Sequence, residues 1–141
     1  MEYIEKKCET TQKAIANLRK GVNRYDLIQK IRVLDEEEYL ERRDSLIKRF
    51  ELAFDTTWKY GKVYLEVKAG LVQNSPKSVF RECLRINKIS EPVALKALEM
   101  VDVRNQTTHT YQDVLAEEIS AKIPDFCSLM ESIMAALTTQ D

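Results

Sequence analysis

Residues 35–70 read DEEEYLERRDSLIKRFELAFDTTWKYGKVYLEVKAG and carry two apolar stripes at helical spacing. Ile47, Phe50, Phe54, Trp58 and Leu65 recur at helical intervals and form one apolar stripe. Leu46, Ala53, Tyr60, Tyr64, Val67 and Leu71 form a second. A helix with two stripes is covered on most of its sides, so this one is expected at the centre of a bundle. The run Asp35-Glu36-Glu37-Glu38 could offer oxygens to a cation. It fits a helix start better, with Asp35 as N-cap, Glu38 at the third helical position and carboxylates against the positive helix end. The helix is expected to reach about Ala69 and to stop at Gly70. Its aromatic residues read as core rather than as a cofactor box.

Upstream, Ile4, Cys8, Thr11, Ile15, Leu18 and Val22 step by fours and threes, which predicts a helix from about Tyr3 to Lys20. Gly21 then reads as its stop, after the cationic Lys20. Leu27, Ile28, Ile31 and Leu34 keep helical spacing, as a short second helix or as an extension of the first. Downstream, Ser75-Pro76 reads as an N-cap with proline in the first helical position. Val79, Phe80, Cys83, Leu84 and Asn87 fill one face of a helix ending near Lys88. Lys77, Arg81, Arg85 and Lys88 line its other face, a solvated stripe by default and a candidate phosphate- or nucleic-acid-contacting face otherwise. Ser90-Glu91-Pro92 opens the next helix, with Ala94, Ala97, Leu98 and Val101 as its stripe. Thr110 or Asp113 can cap a last helix carrying Leu115, Ile119, Ile123, Phe126, Met130, Ile133 and Leu137. Pro124 is expected to kink or split it. The expected architecture is an all-α, up-and-down bundle of about five helices, a single domain over residues 1–141.

Composition narrows the function. Net charge is −1, whereas dedicated nucleic-acid binders usually carry a basic excess. Cys8, Cys83 and Cys127 are far apart, and no Cys/His cluster has metal-ligand spacing, so no metal is expected. All three sit on or beside apolar stripes and read as buried, inert thiols of a cytoplasmic protein. No run approaches the roughly 18 apolar residues of a membrane span, and the charged start is no signal peptide. Nucleotide-binding glycine loops, the nucleophile elbow and the zinc-protease motif are absent, and no cofactor is implied.

Chemistry concentrates in Val103-Arg104-Asn105-Gln106-Thr107-Thr108-His109-Thr110-Tyr111, which holds the only histidine. On a continuous helix, residues five apart lie roughly 140° apart around the axis, so Arg104 and His109 would not share a face. The β-branched Thr107 and Thr108 weaken the helix and could loosen it there. Metal-independent RNA cleavage needs one group to take the 2′-hydroxyl proton, one to protonate the leaving oxygen and a cation on the phosphate. Histidine suits the proton transfers and arginine the phosphate. One chain has one histidine, so this reading demands a homodimer with the stretch at its interface. The plainer reading makes His109 a residue that interacts with a helix C-terminus in a structural dimer.

Arg43-Asp44, Lys48-Arg49-Phe50-Glu51-Leu52-Ala53-Phe54 and Thr57-Trp58-Lys59 together resemble the long second helix of the nucleotidyltransferase substrate-binding protein family, within the HEPN superfamily. Asn74-Ser75-Pro76 with Val79-Phe80-Arg81-Glu82 is similar to the start of its third helix. Arg104-Asn105, Thr108-His109-Thr110-Tyr111 and Ala116-Glu117-Glu118-Ile119 resemble its motif and last helix. The similarity covers roughly Arg42 to Leu129. It implies a homodimer whose partner is a separate minimal nucleotidyltransferase, often encoded next door. Many HEPN relatives are ribonuclease toxins with an arginine–histidine motif, which maps here to Arg104 and His109, with Asn105 as the polar residue after the arginine. In such pairs the nucleotidyltransferase is the antitoxin and adenylylates a tyrosine beside the motif, which maps to Tyr111. The resemblance therefore implies a partner subunit of a nucleotidyltransferase. The alternatives are a metal-independent endoribonuclease acting on RNA as a dimer, and a structural dimer without catalysis.

Overall fold

The computed structural model of the chain describes residues 2–31 and 35–139. Among them are five helices: α1 (Glu2–Ile31), α2 (Glu36–Tyr64), α3 (Pro76–Arg85), α4 (Glu91–Gln106) and α5 (Asp113–Thr138). No strand occurs among the described residues. A π turn, Leu65–Ala69, prolongs α2, and a 3-10 turn, Thr107–His109, follows α4.

The caps explain where the helices begin. Asp35 Oδ1 accepts the Glu38 N–H at 2.8 Å, so the acidic run is a helix start. Ser75 forms a reciprocal capping box with Ser78, and Ser90 caps α4 through the Val93 N–H. Gly70 adopts the left-handed conformation, φ 67°, and stops the prolonged α2 as expected.

Side-chain contacts give the direction of packing. Tyr25 meets Tyr39, Asn17 meets Arg49 and Thr11 meets Thr56, so α1 and α2 are antiparallel. Arg43 meets Glu117 and Phe50 stacks on Phe126, so α2 and α5 are parallel. Lys122 pairs with Glu99 across antiparallel α4 and α5. The long helices therefore run up, down, up and down, and α3 is a short link. α2 packs against α1, α3 and α5. Both of its stripes enter the core, with Leu46, Phe50, Ala53 and Leu65 at or near zero exposure. The wider π turn shifts the helical phase, and Val67 is exposed rather than buried.

Several expectations are corrected. Gly21 does not stop α1, which continues to Ile31. The glycine instead admits Arg49: a Cβ there would lie 3.0 Å from Arg49 Cδ, and Arg49 Nη1 donates to the Asn17 carbonyl at 3.0 Å. Leu27, counted on that stripe, is exposed, and Leu34 lies outside the described residues. α3 ends at Arg85, before Lys88, because Asn87 turns left-handed with φ 62° and the Lys88 and Ile89 amides fold back to the Cys83 carbonyl. α5 starts after Gln112 without a side-chain cap, since Asp113 is occupied by Arg43 and Thr110 hydrogen-bonds back to the Thr107 carbonyl. Pro124 does not split α5. Ile123, Phe126 and Cys127 around it are buried, and their packing holds the helix together.

Candidate functional site

The Arg104–Tyr111 stretch spans the end of α4, the 3-10 turn and the approach to α5. The α-helix gives way at Thr107, where loosening was expected. Thr107 is buried, and its hydroxyl lies 2.7 Å from the Arg104 carbonyl and 2.9 Å from Glu51, able to donate to one at a time. That local bond competes with the helical pattern and favours the turn.

Arg104 is half-buried and turned against α2. Its Nε and Nη2 donate to the two carboxylate oxygens of Asp55 at 3.2 and 3.1 Å, a bidentate pair. Its Nη1 donates to Glu51 at 2.9 Å and to the Thr107 hydroxyl at 2.9 Å. These bonds leave one guanidinium N–H uncommitted. Burial opposes the charge, but hydrogen bonding to Asp55 and the fields of Asp55 and Glu51 outweigh it and push the pKa of Arg104 up. One cation against two carboxylates gives the cluster a formal charge of −1. A phosphate can be clamped by Arg104 only by displacing or sharing one of those carboxylates.

Beyond the turn a second arginine repeats the arrangement. Arg43 is 4% exposed and donates to Glu117 at 2.9 Å and Asp113 at 3.1 Å. Its Nε makes no hydrogen bond; the Asp44 carboxylate stands 3.7 Å away. Tyr39 donates to Glu117 at 2.8 Å, and Tyr25 can in turn donate to Tyr39 at 2.7 Å. Burial, Tyr25 and Glu117 raise the Tyr39 pKa above the ordinary phenol range. The segment from Thr107 to Asp113 is thus pinned to α2 at both ends, by Arg104 on one side and Arg43 on the other.

Between the pins, Asn105, His109 and Tyr111 are exposed. Tyr111 is 76% exposed, and its ring meets the His109 ring edge-on with centroids 6.0 Å apart. Val114, 74% exposed, extends the apolar surface beside them.

The basic stripe on α3 is partly neutralised. Lys77 pairs with Asp102 at 2.7 Å and Arg85 with Glu82 at 2.7 Å. Arg81 is exposed, and Lys88 instead lines a cavity of about 500 Å³ with Ile4, Cys8, Tyr60 and Tyr64. Cys83 and Cys127 are buried, and burial pushes each thiol from 9.0 to about 11, which keeps them protonated. Among the described residues, no group of three or more His, Cys, Asp or Glu side chains could hold a metal ion. No described helix is long and apolar enough to cross a membrane.

Glu51, Asp55 and Arg43 were not singled out as site residues from sequence. Glu51 and Asp55, four apart, share a helical face, but their target is about fifty residues away and is set by packing.

Comparison with known proteins covers nearly the whole chain. The model of the family described as nucleotidyltransferase substrate binding protein like matches residues 6–139. The solved structure of ttk003001694 from Thermus thermophilus is 34% identical and covers 92% of this chain and 99% of its own, with a TM-score of 0.77. HI0074 from Haemophilus influenzae, described as having the fold of a substrate binding domain of a nucleotidyltransferase, is 20% identical, covers 94% and 99%, and has a TM-score of 0.81. A tri-AMPylated Shewanella oneidensis HEPN toxin in complex with its MNT antitoxin is 15% identical, covers 99% of both chains, and has a TM-score of 0.75. The last two show likeness of fold. No curated protein matches the chain.

Proposed function

The chain belongs to the nucleotidyltransferase substrate binding protein like family, and from that premise we propose that it is the helical partner subunit of a minimal nucleotidyltransferase, to which it presents Tyr111. The observation that carries this reading is the doubly pinned turn. A phenol 76% exposed, on a short segment fixed to α2 at both ends, is accessible and loses little freedom when it binds. The description of HI0074 as having the fold of a substrate binding domain of a nucleotidyltransferase, and the AMPylated state of the Shewanella toxin, support it.

In the proposed reaction the Tyr111 oxygen attacks the α-phosphorus of ATP. An oxygen–phosphorus bond forms, the bond to pyrophosphate breaks, and the phenolic proton leaves. The product carries an anionic nucleotide beside Arg104 and His109. Incubation with the cognate nucleotidyltransferase and ATP tests this by intact mass. The expected result is addition of adenylyl mass that Tyr111→Phe abolishes. No added mass, or addition that survives the substitution, contradicts it.

A second reading, a dimeric metal-independent ribonuclease, is favoured by the 3-10 turn. It interrupts the helix between Arg104 and His109, which a continuous helix would hold on different faces unless the long arginine side chain swings round. The exposed Tyr111 and Val114 supply apolar surface beside His109 for a second copy to cover. In this reading Arg104 holds the phosphate, His109 transfers protons, Asn105 orients the strand, and the α3 stripe of Lys77, Arg81, Arg85 and Lys88 gives subsidiary phosphate contacts. A cytoplasmic setting, where RNA is at hand, belongs to both readings. Expression of the chain alone is expected to arrest growth, with arrest lost in His109→Ala. Equal arrest by both, or arrest by neither, removes this reading.

A further inference from the structure

The first turns of α1 and the second half of α2 enclose a groove of about 330 Å³ that the preceding readings do not use. Tyr3, Lys7, Trp58, Lys59, Lys62 and Val63 line it, together with Glu66. Three lysines face one carboxylate there, so the groove is locally cationic on a chain whose net charge is −1. The lysines differ in how far they are committed. Lys62 is tied to Glu66 at 2.9 Å and to the Asn74 side chain at 3.2 Å. Lys7 lies 5.7 Å above the centre of the Tyr3 ring, and Lys59 is exposed with no ion-pair partner among the described residues.

Two aromatic residues share the groove with these cations. Tyr3 is 63% exposed. Trp58 packs partly on the core and borders the groove. The exposed Tyr3 ring and the partly exposed Trp58, beside the ammonium groups of Lys7 and Lys59, match a ligand with flat bases and a regular anionic backbone. A purely anionic ligand would not use the rings, and an apolar one would not need the lysines.

Position gives the groove a direction. Glu51, Asp55, Lys59 and Lys62 lie on one side of α2, and Lys59 is one helical turn, roughly 6 Å, beyond Asp55. The groove therefore lies further along the same side of α2 as Glu51 and Asp55.

We infer that this groove binds single-stranded nucleic acid, its bases stacked on Tyr3 and Trp58 and its phosphates on Lys7 and Lys59. The inference rests on these residues and does not require that the chain cleave RNA. Stacking and backbone contact are tolerant of sequence and do not read the 2′-hydroxyl, so RNA and DNA strands are both candidate occupants and are separated by test.

Trp58 is the only tryptophan, which makes it a reporter inside the groove. The full chain is titrated with a short oligouridylate, its DNA counterpart and inorganic tripolyphosphate, following tryptophan emission and the anisotropy of a labelled strand. The RNA is expected to quench Trp58 and to bind at least tenfold more weakly to the Lys7→Glu/Lys59→Glu variant. The slope of log affinity against log salt is expected to shrink by about 1.4 in that variant, from roughly 0.7 per single-strand phosphate contact. Trp58→Phe, which retains an aromatic ring and most of the packing, is expected to keep the fold and weaken the labelled strand. Quenching by the DNA strand as well supports a groove for either strand, and quenching by RNA alone supports an RNA groove. An equal response to tripolyphosphate overturns the strand in favour of a bare anion patch. Quenching by the nucleotidyltransferase but not by RNA overturns it in favour of a protein interface. Binding without cleavage upholds the groove and removes the ribonuclease reading. Cleavage untouched by the lysine reversals upholds that reading and removes the groove.

Discussion

Arg104 shows how far a residue's role depends on partners distant in sequence. Its guanidinium is held by Asp55 on two sides and by Glu51 and Thr107 on the third. Replacing it by alanine takes from Asp55 its bidentate partner and leaves Glu51 only the exposed Lys48, 4.0 Å away, as a counter-ion among the described residues. With Arg104 22% and Asp55 39% exposed, water screens part of the cost, and Arg104→Ala is expected to lower stability by about 1–2 kcal/mol in urea unfolding. Arg104→Lys keeps the charge but not the fork and should recover only part of it. An unchanged unfolding midpoint in Arg104→Ala would show that the clusters do not pin the turn. The position of Arg104 and His109 was legible because the chain has one histidine with an arginine near it. The state of Arg104 was not. Glu51 and Asp55 read as members of a charged helix face, and nothing local in the sequence says that they face α4.

The helices themselves were largely readable, because their ends are chemical. Asp35, Ser75 and Ser90 satisfy orphan amides, and Gly70 takes the left-handed turn that ends the prolonged α2. Gly21 was misread because a glycine that stops a helix and one that admits a neighbour look alike in sequence. Gly61 is of the second kind too: a Cβ there would lie 2.8 Å from Val79 Cγ1, where α3 crosses α2. Two opposite outcomes follow. Gly21→Ala meets only the flexible Arg49 and gains up to about 1 kcal/mol of helix propensity, so its melting temperature should be unchanged or raised. Gly61→Ala overpacks a core contact and should cost about 1–3 kcal/mol. Combined with Val79→Ala, it should cost less than the two single changes summed, a coupling that thermal unfolding of the four proteins measures. A loss at Gly21 equal to that at Gly61 would return Gly21 to the role of a stop.

The whole bundle gives the motif its setting. α2 runs through the centre and carries the pins of the Thr107–Asp113 segment, at Arg43 and Asp55, and, further on, the lysine and aromatic groove. The up-and-down arrangement was legible from stripes and few turn-formers. The direction in which each polar side chain leaves the bundle was not, because it follows from helix rotation in the packed molecule. On the proposed function, this chain docks a minimal nucleotidyltransferase through the face that presents Tyr111. Co-expression with the cognate nucleotidyltransferase, followed by size-exclusion chromatography with mass measurement, tests it most directly. A single peak containing both proteins, lost when Tyr111 and Val114 are replaced by charged residues, is the predicted result. Two separate peaks at micromolar concentration would contradict it.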